Sequence, residues 1–311
     1  MQDNSLHLRC TRCKASLGVW RHDIHQYACA ACGAVYLREN GVLDFIRKRE
    51  PTYDHGLVAG QMSSFAKPTT ENSEWEVLSL RLQPLLSQNH ATSGSIGLDG
   101  AAQEGFGMLL DIGCGYGGLA ASAAARFQLV VGVDADMEQL ESARSILKER
   151  YPENLVMIRA WAENLPFMPG QFNAVTCVQA LEHVLNPEAV IAQIRLSLAP
   201  LGRLYLSVPN RFTLRREPHT NLRWIGFLPK AWASHYAARL GKEKELQGIH
   251  FFSAGSLYSM LESAFGGSFE FIRSGCHRSL LGKLAKFGWN LPLLSTAAAH
   301  LVGDLEVIAW N

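Results

Sequence analysis

Four cysteines near the start of the chain have the spacing of metal ligands. They form two Cys-X-X-Cys pairs, Cys10 with Cys13 and Cys29 with Cys32. Each pair makes a tight turn whose thiolates face one point, and two such turns complete a tetrahedral zinc site. Because four protein ligands leave no position open for a substrate, the spacing predicts a structural zinc ion.

A glycine-rich segment follows an apolar run. The sequence Leu109-Leu110-Asp111-Ile112-Gly113-Cys114-Gly115-Tyr116-Gly117-Gly118 leads into an alanine-rich stretch. Glycines let the backbone turn sharply and approach a ligand, so this pattern is typical of a nucleotide-type site between a strand and a helix. A second apolar run ends in Asp134, where a carboxylate can accept hydrogen bonds from both hydroxyls of a ribose.

Three histidines are candidates for a general base. His183 lies in a Glu-His-Val sequence, His219 lies in a long segment after the fifth predicted strand, and His250 precedes a helix-start signal. The imidazole pKa lies near neutral pH, so a histidine can take a proton from a hydroxyl nucleophile. A plainer interpretation, helix packing or pocket shape, stays open for His183.

Apolar runs alternate with amphipathic stretches from residue 108 onward and predict the elements that position these groups. The predicted strands cover residues 108–112, 130–133, 156–159, 174–178, 203–208, 269–273 and 305–310. This alternation favours an α/β fold with a Rossmann-like, mostly parallel seven-stranded sheet and helices on both faces. No long helix connects the last two strands, so we expect them to pair antiparallel.

The chain divides into three predicted segments. Residues 1–48 form the zinc ribbon, residues 49–107 a linker, and residues 108–311 the α/β domain. Within the linker, residues 74–82 have the apolar spacing of a helix, and the stretch that follows is rich in small and polar residues.

Composition and charge narrow the function classes. With 48% hydrophobic and 18% charged residues among 311, the chain is of the globular rather than the disordered type. A formal net charge of +1 gives no general attraction for a polyanion such as RNA. The N-terminal sequence has no signal-peptide pattern, and no apolar window has the length of a membrane span, so we expect a cytoplasmic protein.

Two further stretches complete a family pattern. Ala162-Glu163-Asn164-Leu165-Pro166-Phe167 and Ala180-Leu181-Glu182-His183-Val184 follow the glycine turn and Asp134 in that order. Residues 108–212 thereby resemble class I S-adenosylmethionine-dependent methyltransferases, in the branch that includes quinone-biosynthesis and natural-product enzymes. The resemblance implies transfer of a methyl group from S-adenosylmethionine to a small-molecule, lipid-linked or sugar-containing acceptor, at oxygen or nitrogen.

The resemblance also implies roles for residues of the first two motifs. Gly113, Gly115 and Gly117 would hold the methionine part of the cofactor. Asp111 would support its amino group, and Asp134 would bind the ribose.

The later motifs imply contacts to the other end of the cofactor. Ala162 and Glu163 would border the adenine, and Gln179 would lie near the sulfonium. The family usually has an aspartate just before the Ala-Glu pair, as acceptor for the adenine amino group, but this chain has Trp161. Either Trp161 stacks on the adenine or Glu163 supplies the acceptor, and a third interpretation makes Trp161 a packing residue.

The segment 211–250 mixes aromatic and cationic side chains. The family places substrate-recognition elements there, so the segment is expected to form a lid over the acceptor, and its composition also suits contact with a membrane surface. An amphipathic helix that caps the sheet edge is the plainer alternative. The resemblance further implies that Tyr53 and Asp54 close over the cofactor.

The N-terminal segment is similar to the zinc ribbon of the small activator subunit of tRNA and release-factor methyltransferases. The similarity covers residues 8–45 and rests mainly on the cysteines. A related ribbon is fused to some ribosomal RNA methyltransferases, so methylation of RNA bases is an alternative function, which the charge balance disfavours. A non-catalytic scaffold is a second alternative, against which the intact glycine turn and Asp134 argue.

Overall fold

The computed structural model describes residues 5–46, 106–147, 151–214, 216–272 and 304–311. The predicted linker helix at residues 74–82, together with Tyr53 and Asp54, lies outside this part of the chain. Among the described helices, none has both the length and the apolar character needed to cross a bilayer.

The ribbon consists of five short strands. They are β1 (His7–Arg9), β2 (Ser16–Val19), β3 (Gln26–Ala28), β4 (Val35–Glu39) and β5 (Val42–Asp44). Strands β1 and β2 form a separate antiparallel pair, while β3, β4 and β5 form an antiparallel meander. The two Cys-X-X-Cys pairs lie in the turns that follow β1 and β3.

Seven strands form the sheet of the α/β domain. They are β6 (Phe106–Ile112), β7 (Phe127–Asp134), β8 (Leu155–Arg159), β9 (Phe172–Val178), β10 (Leu198–Val208), β11 (Phe269–Ile272) and β12 (Leu305–Trp310). Their spatial order is β8-β7-β6-β9-β10-β12-β11, and β12 alone runs antiparallel to its neighbours in this part of the sheet. The mostly parallel seven-stranded fold and the antiparallel pairing of the two late strands are thus confirmed.

Helices cover both faces of the sheet. They are α1 (Gly118–Ala123), α2 (Met137–Leu147), α3 (Pro187–Ser197), α4 (Lys230–Arg239), α5 (Glu243–Leu246) and α6 (Ala254–Phe265). Successive side chains of a strand point to opposite faces. Accordingly, Leu109 packs in the core with α1 and α2, whereas Leu110 packs in the core with α3 and α6.

The ribbon extends this sheet beyond the seven strands that the sequence predicts. Strand β5 pairs in parallel with β8, so β3, β4 and β5 bring the sheet to ten strands. An edge strand exposes unpaired backbone groups, and the pairing satisfies those of β8. The Arg159 guanidinium also contacts the Asp44 carboxylate at 3.1 Å. The sequence predicts the ribbon only as a unit that precedes a seven-stranded sheet, because the apolar spacing of a short strand does not tell which edge it joins.

The ribbon also contacts the loop that follows β8. The backbone N–H of Arg9 donates to the Pro166 carbonyl at 2.9 Å, and its side-chain Nε donates to the Leu165 carbonyl at 3.2 Å. The Asn164 side chain donates to the Thr11 carbonyl at 3.1 Å, next to the first cysteine pair. The loop at residues 161–168 is therefore held between the ribbon and the α/β domain.

Candidate active site

The carboxyl ends of β6, β7, β8 and β9 surround a cleft of about 240 Å³. In an open α/β sheet, ligands bind outside this edge. The cleft lining includes these predicted cofactor residues: Gly113, Gly115, Asp134, Trp161, Ala162, Glu163 and Gln179. Asp111 and Gly117 are not part of the lining, although both belong to the same strand and turn. What the lining residues bind stays a prediction.

The turn between β6 and α1 requires glycine for steric reasons. Gly113, Gly115 and Gly117 all have positive φ angles, of 70°, 52° and 75°. A side chain on Gly113 would in addition clash with the Cβ atom of Ala180, at the start of the Glu-His turn. Gly113 and Gly115 line the cleft without side chains, so a ligand can approach their backbone closely.

Asp134 is buried at the end of β7, and both of its carboxylate oxygens accept backbone hydrogen bonds. The Gly115 N–H donates to Oδ2 and the Asp136 N–H donates to Oδ1, each at 2.9 Å. Burial raises the pKa of Asp134 to about 6, against the effect of these bonds. Each carboxylate oxygen has a second lone pair, so Asp134 can still accept from hydroxyls in the cleft.

Asp111 is less well compensated. Its Oδ1 accepts from the Thr176 hydroxyl at 2.7 Å, but its buried Oδ2 has no hydrogen-bond partner among the described residues. Burial raises the pKa of Asp111 to about 7, and the negative charge of Asp134 adds to this effect. A cation placed near this carboxylate would stabilise its ionised form.

Glu163 and Gln179 have structural partners of their own. Glu163 Oε1 accepts from the backbone N–H groups of Leu185 at 2.9 Å and Asn186 at 3.3 Å, just before α3. Gln179 has a φ of 52°, and its backbone N–H donates to the Ser207 carbonyl at 2.8 Å. Each residue thus joins a wall of the cleft to a neighbouring element.

Two of the three candidate histidines meet beside the cleft. His183 is in its lining, and the Nε2 atoms of His183 and His219 lie 3.1 Å apart. His219 Nδ1 lies 2.6 Å from Glu217 Oε1, and the Thr220 N–H and hydroxyl both donate to Glu217 Oε2. Burial raises the pKa of Glu217, but the hydrogen bonds from His219 and Thr220 outweigh it and leave the pKa below its usual value. Burial lowers the pKa of His183 to about 4.

Glu182 is buried beside the histidine pair. It is 1% exposed, and neither carboxylate oxygen has a hydrogen-bond partner in the described part of the chain. Burial raises its pKa to about 8. The His250 backbone N–H donates to the Glu182 carbonyl at 2.8 Å, but the His250 ring lies against Phe252 and does not line the cleft.

Sequence reasoning missed Glu217 as a partner of His219. A signal was present, because a carboxylate two residues before a histidine can reach its ring when proline turns the chain between them, as in Arg216-Glu217-Pro218-His219. The contact between His219 and His183 has no such local signal, since the two residues are far apart in the sequence.

The four ribbon cysteines converge on one point. The Sγ atoms of Cys10 and Cys32 lie 3.6 Å apart, and those of Cys13 and Cys29 lie 3.5 Å apart. All four sulfur atoms lie within 4.8 Å of one another. Thiolates bound to one tetrahedral zinc ion, each at about 2.3 Å, lie about 3.8 Å apart, so the sulfur positions fit such an ion.

The segment 211–250 leaves the sheet at the end of β10 and returns to the edge of the cleft at His219. It continues through a short 3-10 turn (Ile225–Phe227) into α4 and α5. Its own small core contains Ile225, Ala233 and Ala237, whereas Trp224 and Trp232 are exposed. The segment is therefore a folded unit beside the cleft, and its role as a lid stays a prediction.

Comparison with known proteins supports the motif-based resemblance. A family model described as "Methyltransferase domain" matches residues 110–206. The chain is 31% identical over 183 residues to a ubiquinone biosynthesis O-methyltransferase of Aeromonas salmonicida, covering 59% of this chain and 71% of the relative. It is 36% identical over 148 residues to the enzyme of the same name from Dechloromonas aromatica, covering 44% of this chain and 60% of that relative.

Among solved structures, an S-adenosylmethionine-dependent methyltransferase from Mesorhizobium loti is 16% identical, with a TM-score of 0.47, and the match covers 77% of this chain and 98% of that one. The sequence identity to the Aeromonas enzyme and its coverage decide the assignment. The chain belongs to the class I S-adenosylmethionine-dependent methyltransferases.

Proposed function

We propose that this chain transfers a methyl group from S-adenosylmethionine to a hydroxyl group of a small molecule. The observation that carries the proposal is the position of the His183–His219 pair beside the cleft, where a hydroxyl would need help to lose its proton. The relatives named ubiquinone biosynthesis O-methyltransferase support an oxygen acceptor.

The cofactor is proposed to lie along the carboxyl edge of β6 and β7. The open glycine turn fits its methionine part, and the Asp111 carboxylate, which has an unsatisfied oxygen, fits its ammonium group. Asp134 accepts hydrogen bonds from the ribose hydroxyls. Trp161 lines the cleft and is proposed to stack on the adenine, while Glu163 Oε2, which is not used in the bonds to the two backbone N–H groups before α3, borders the same ring.

Bound S-adenosylmethionine supplies a methyl group on a positively charged sulfur. The acceptor oxygen forms a bond to the methyl carbon as the carbon–sulfur bond breaks, and the electron pair of that bond stays on sulfur. The protein holds the oxygen in line with the breaking bond. The hydroxyl proton leaves with the assistance of the histidine pair, whose His219 is oriented by Glu217. His250 has no part in this step.

The acceptor is proposed to be partly apolar, of the small-molecule, lipid-linked or sugar-containing kind. The segment 211–250 presents exposed Trp224, Phe227 and Trp232 and begins at the edge of the cleft. Aromatic side chains beside a few polar groups suit an acceptor with an apolar body and one hydroxyl. The same surface would allow contact with a membrane in which such an acceptor is dissolved.

The ribbon is proposed to hold one structural zinc ion through Cys10, Cys13, Cys29 and Cys32. The turn that contains the first pair contacts the loop after β8, since the Thr11 carbonyl accepts from the Asn164 side chain and the Lys14 ammonium contacts the same side chain. That loop begins at Trp161 on the wall of the cleft. By holding the ribbon turn in place, the proposed zinc ion would stabilise this loop and, through it, the adenine side of the proposed cofactor site.

The cofactor placement predicts a loss of affinity in Asp134→Ala. Hydrogen bonds to a charged group contribute about 1.5–3 kcal/mol each, so the loss of two ribose contacts should weaken S-adenosylmethionine binding by about 100-fold or more. Isothermal titration calorimetry measures this affinity. Glu138→Ala removes an exposed carboxylate of α2 and should leave it unchanged. Equal affinities for Asp134→Ala and the wild type would show that the ribose lies elsewhere.

The buried Asp111 predicts how the stability of the cofactor-free protein depends on pH. Its pKa is raised from 3.8 to about 7, so between these values the native state binds more protons than the unfolded state. The free energy of unfolding should therefore fall as the pH rises from about 4 to about 7. Urea unfolding of Asp111→Asn should show a flatter profile, with a residual pH dependence from the other buried groups whose pKa values are shifted, Asp134, Glu182 and His183. An unchanged profile in Asp111→Asn, or the same flattening in the exposed control Asp23→Asn, would contradict this.

The zinc proposal predicts that Cys32→Ser holds one zinc ion fewer per chain than the wild type. Because the ribbon contacts the loop that begins at Trp161, the affinity for S-adenosylmethionine should also fall. The loss of a free energy equal to that of one hydrogen bond would weaken binding by about tenfold. Metal analysis and calorimetry on the same sample measure both effects. Asp23→Asn, an exposed change in the ribbon, should alter neither. Full zinc content in Cys32→Ser would exclude the four-cysteine site.

The histidine pair predicts a separation of catalysis from binding. His219→Ala should lower turnover by about 100-fold or more while the affinity for S-adenosylmethionine stays the same. Transfer of labelled methyl groups to hydroxyl compounds extracted from the source cell measures turnover, and the exposed ribbon residue His25, changed to alanine, is the control. If cofactor affinity falls in parallel with turnover, the segment 211–250 supports the cofactor site instead of the acceptor.

A further inference from the structure

A second group of side chains in the described part of the chain has the composition of a metal site. Glu182, His183 and His219 each offer one atom, a carboxylate oxygen or a ring nitrogen, and these atoms lie within 4.8 Å of one another. Glu182 and His183 come from the turn after β9, and His219 comes from the segment after β10. The fold thus brings two separate elements to one point beside the cleft.

The distances fit ligands that share one ion. The Nε2 atoms of His183 and His219 lie 3.1 Å apart. Two nitrogens that each lie about 2.0–2.1 Å from a tetrahedral ion are about 3.3 Å apart. Glu182 Oε1 lies 4.0 Å from His183 Nε2, so a small movement of the carboxylate brings it to the same point.

The Glu182 carboxylate gives an independent reason to expect a cation. It is almost completely buried, and neither oxygen has a hydrogen-bond partner among the residues that the structure describes. Buried carboxylates are normally paired or bound to a metal, because an isolated one is costly to bury. A divalent ion at this point would compensate the charge of Glu182.

Glu217 contacts His219 as carboxylates commonly contact histidines that bind a metal, through the ring nitrogen that does not face the ion. Its Oε1 lies 2.6 Å from His219 Nδ1, and its other oxygen accepts two hydrogen bonds from Thr220. A carboxylate on one ring nitrogen fixes the tautomer and directs the other nitrogen toward the metal. Glu217 therefore acts as a positioning residue for His219.

We propose that Glu182, His183 and His219 bind a divalent transition-metal ion that holds the acceptor hydroxyl beside the cofactor cleft. Three protein ligands leave a position open for the acceptor oxygen, and coordination lowers the pKa of a bound hydroxyl. The hydroxyl proton then goes to solvent, and the oxygen attacks the methyl carbon while the carbon–sulfur pair stays on sulfur. The inference rests on the proposed function, because it names the means by which the histidine pair assists the hydroxyl.

The ligand set favours some metals over others. Imidazole suits zinc, iron, nickel and copper, whereas magnesium prefers oxygen ligands. Two imidazoles and one carboxylate, with one position open, match catalytic zinc sites. We therefore expect Zn²⁺ or Co²⁺ to bind and Mg²⁺ to bind poorly.

Metal analysis of the full chain tests the site directly. The protein is equilibrated with Zn²⁺, freed of unbound metal by gel filtration, and analysed by mass spectrometry. The wild type and the His25→Ala control should each hold one zinc ion per chain more than Glu182→Gln or His219→Asn. Glu217→Gln should keep the site but weaken Co²⁺ binding by about 10-fold to 100-fold, because the orientation of His219 is lost. S-adenosylmethionine affinity close to that of the wild type shows that each variant is folded.

The possible results distinguish the existence of the metal site from its role in methyl transfer. Equal zinc content in the wild type, Glu182→Gln and His219→Asn would overturn the metal site, as would a loss only in the His25→Ala control. Methyl transfer that continues at the wild-type rate after the additional ion is lost would overturn its role in holding the hydroxyl. An additional ion that depends on these residues, in a protein that methylates no hydroxyl compound, would support the metal site and refute the proposed function.

Discussion

Three carboxyl side chains are buried at the carboxyl ends of the central strands. Asp111 and Asp134 lie at the ends of β6 and β7, and Glu182 follows β9, each almost inaccessible to water. Buried carboxylates require compensation, which the chain supplies unequally. Asp134 receives two backbone N–H groups, Asp111 receives one hydroxyl on one oxygen, and Glu182 receives no hydrogen bond on its side chain from the described residues. The two cationic groups that we propose, the ammonium group near Asp111 and the metal ion near Glu182, would lie where this compensation is weakest.

The loop after β8 connects the cleft with the ribbon. One end of this loop carries Trp161 into the cleft wall. In its middle, the Leu165 carbonyl accepts a hydrogen bond from Arg9 of β1, and the Asn164 side chain donates one to the Thr11 carbonyl in the turn after β1. Strand β5 then pairs with β8 itself, so both the strand and its loop have a ribbon partner. A domain of this topology alone would leave β8 as a free edge. The ribbon removes that edge and restrains the loop, and through these contacts the proposed zinc ion would be connected with the proposed cofactor site.

The strands from residue 106 to residue 208 could be predicted because buried parallel strands appear as continuous apolar runs. The glycine turn and Asp134 could be placed beside one cleft because both follow strands whose carboxyl ends meet. Two features could not be predicted. The pairing of β5 with β8 depends on an edge that no local pattern marks, and the meeting of His183 with His219 depends on how the segment after β10 folds back. Glu217 had a local signal, but its importance appears only once the position of His219 is known.

The turn Leu181–His183 joins the two halves of the proposed chemistry. Ala180, just before it, packs so closely against Gly113 that a methyl group on that glycine would clash, which fixes the distance between this turn and the cofactor side of the cleft. The His250 backbone N–H holds the Glu182 carbonyl from the other side. With both sides restrained, His183 can hold an acceptor oxygen only at a distance from the glycine turn that the backbone sets. In-line methyl transfer depends on such a fixed distance, because the attacking oxygen must meet the methyl carbon opposite the leaving sulfur.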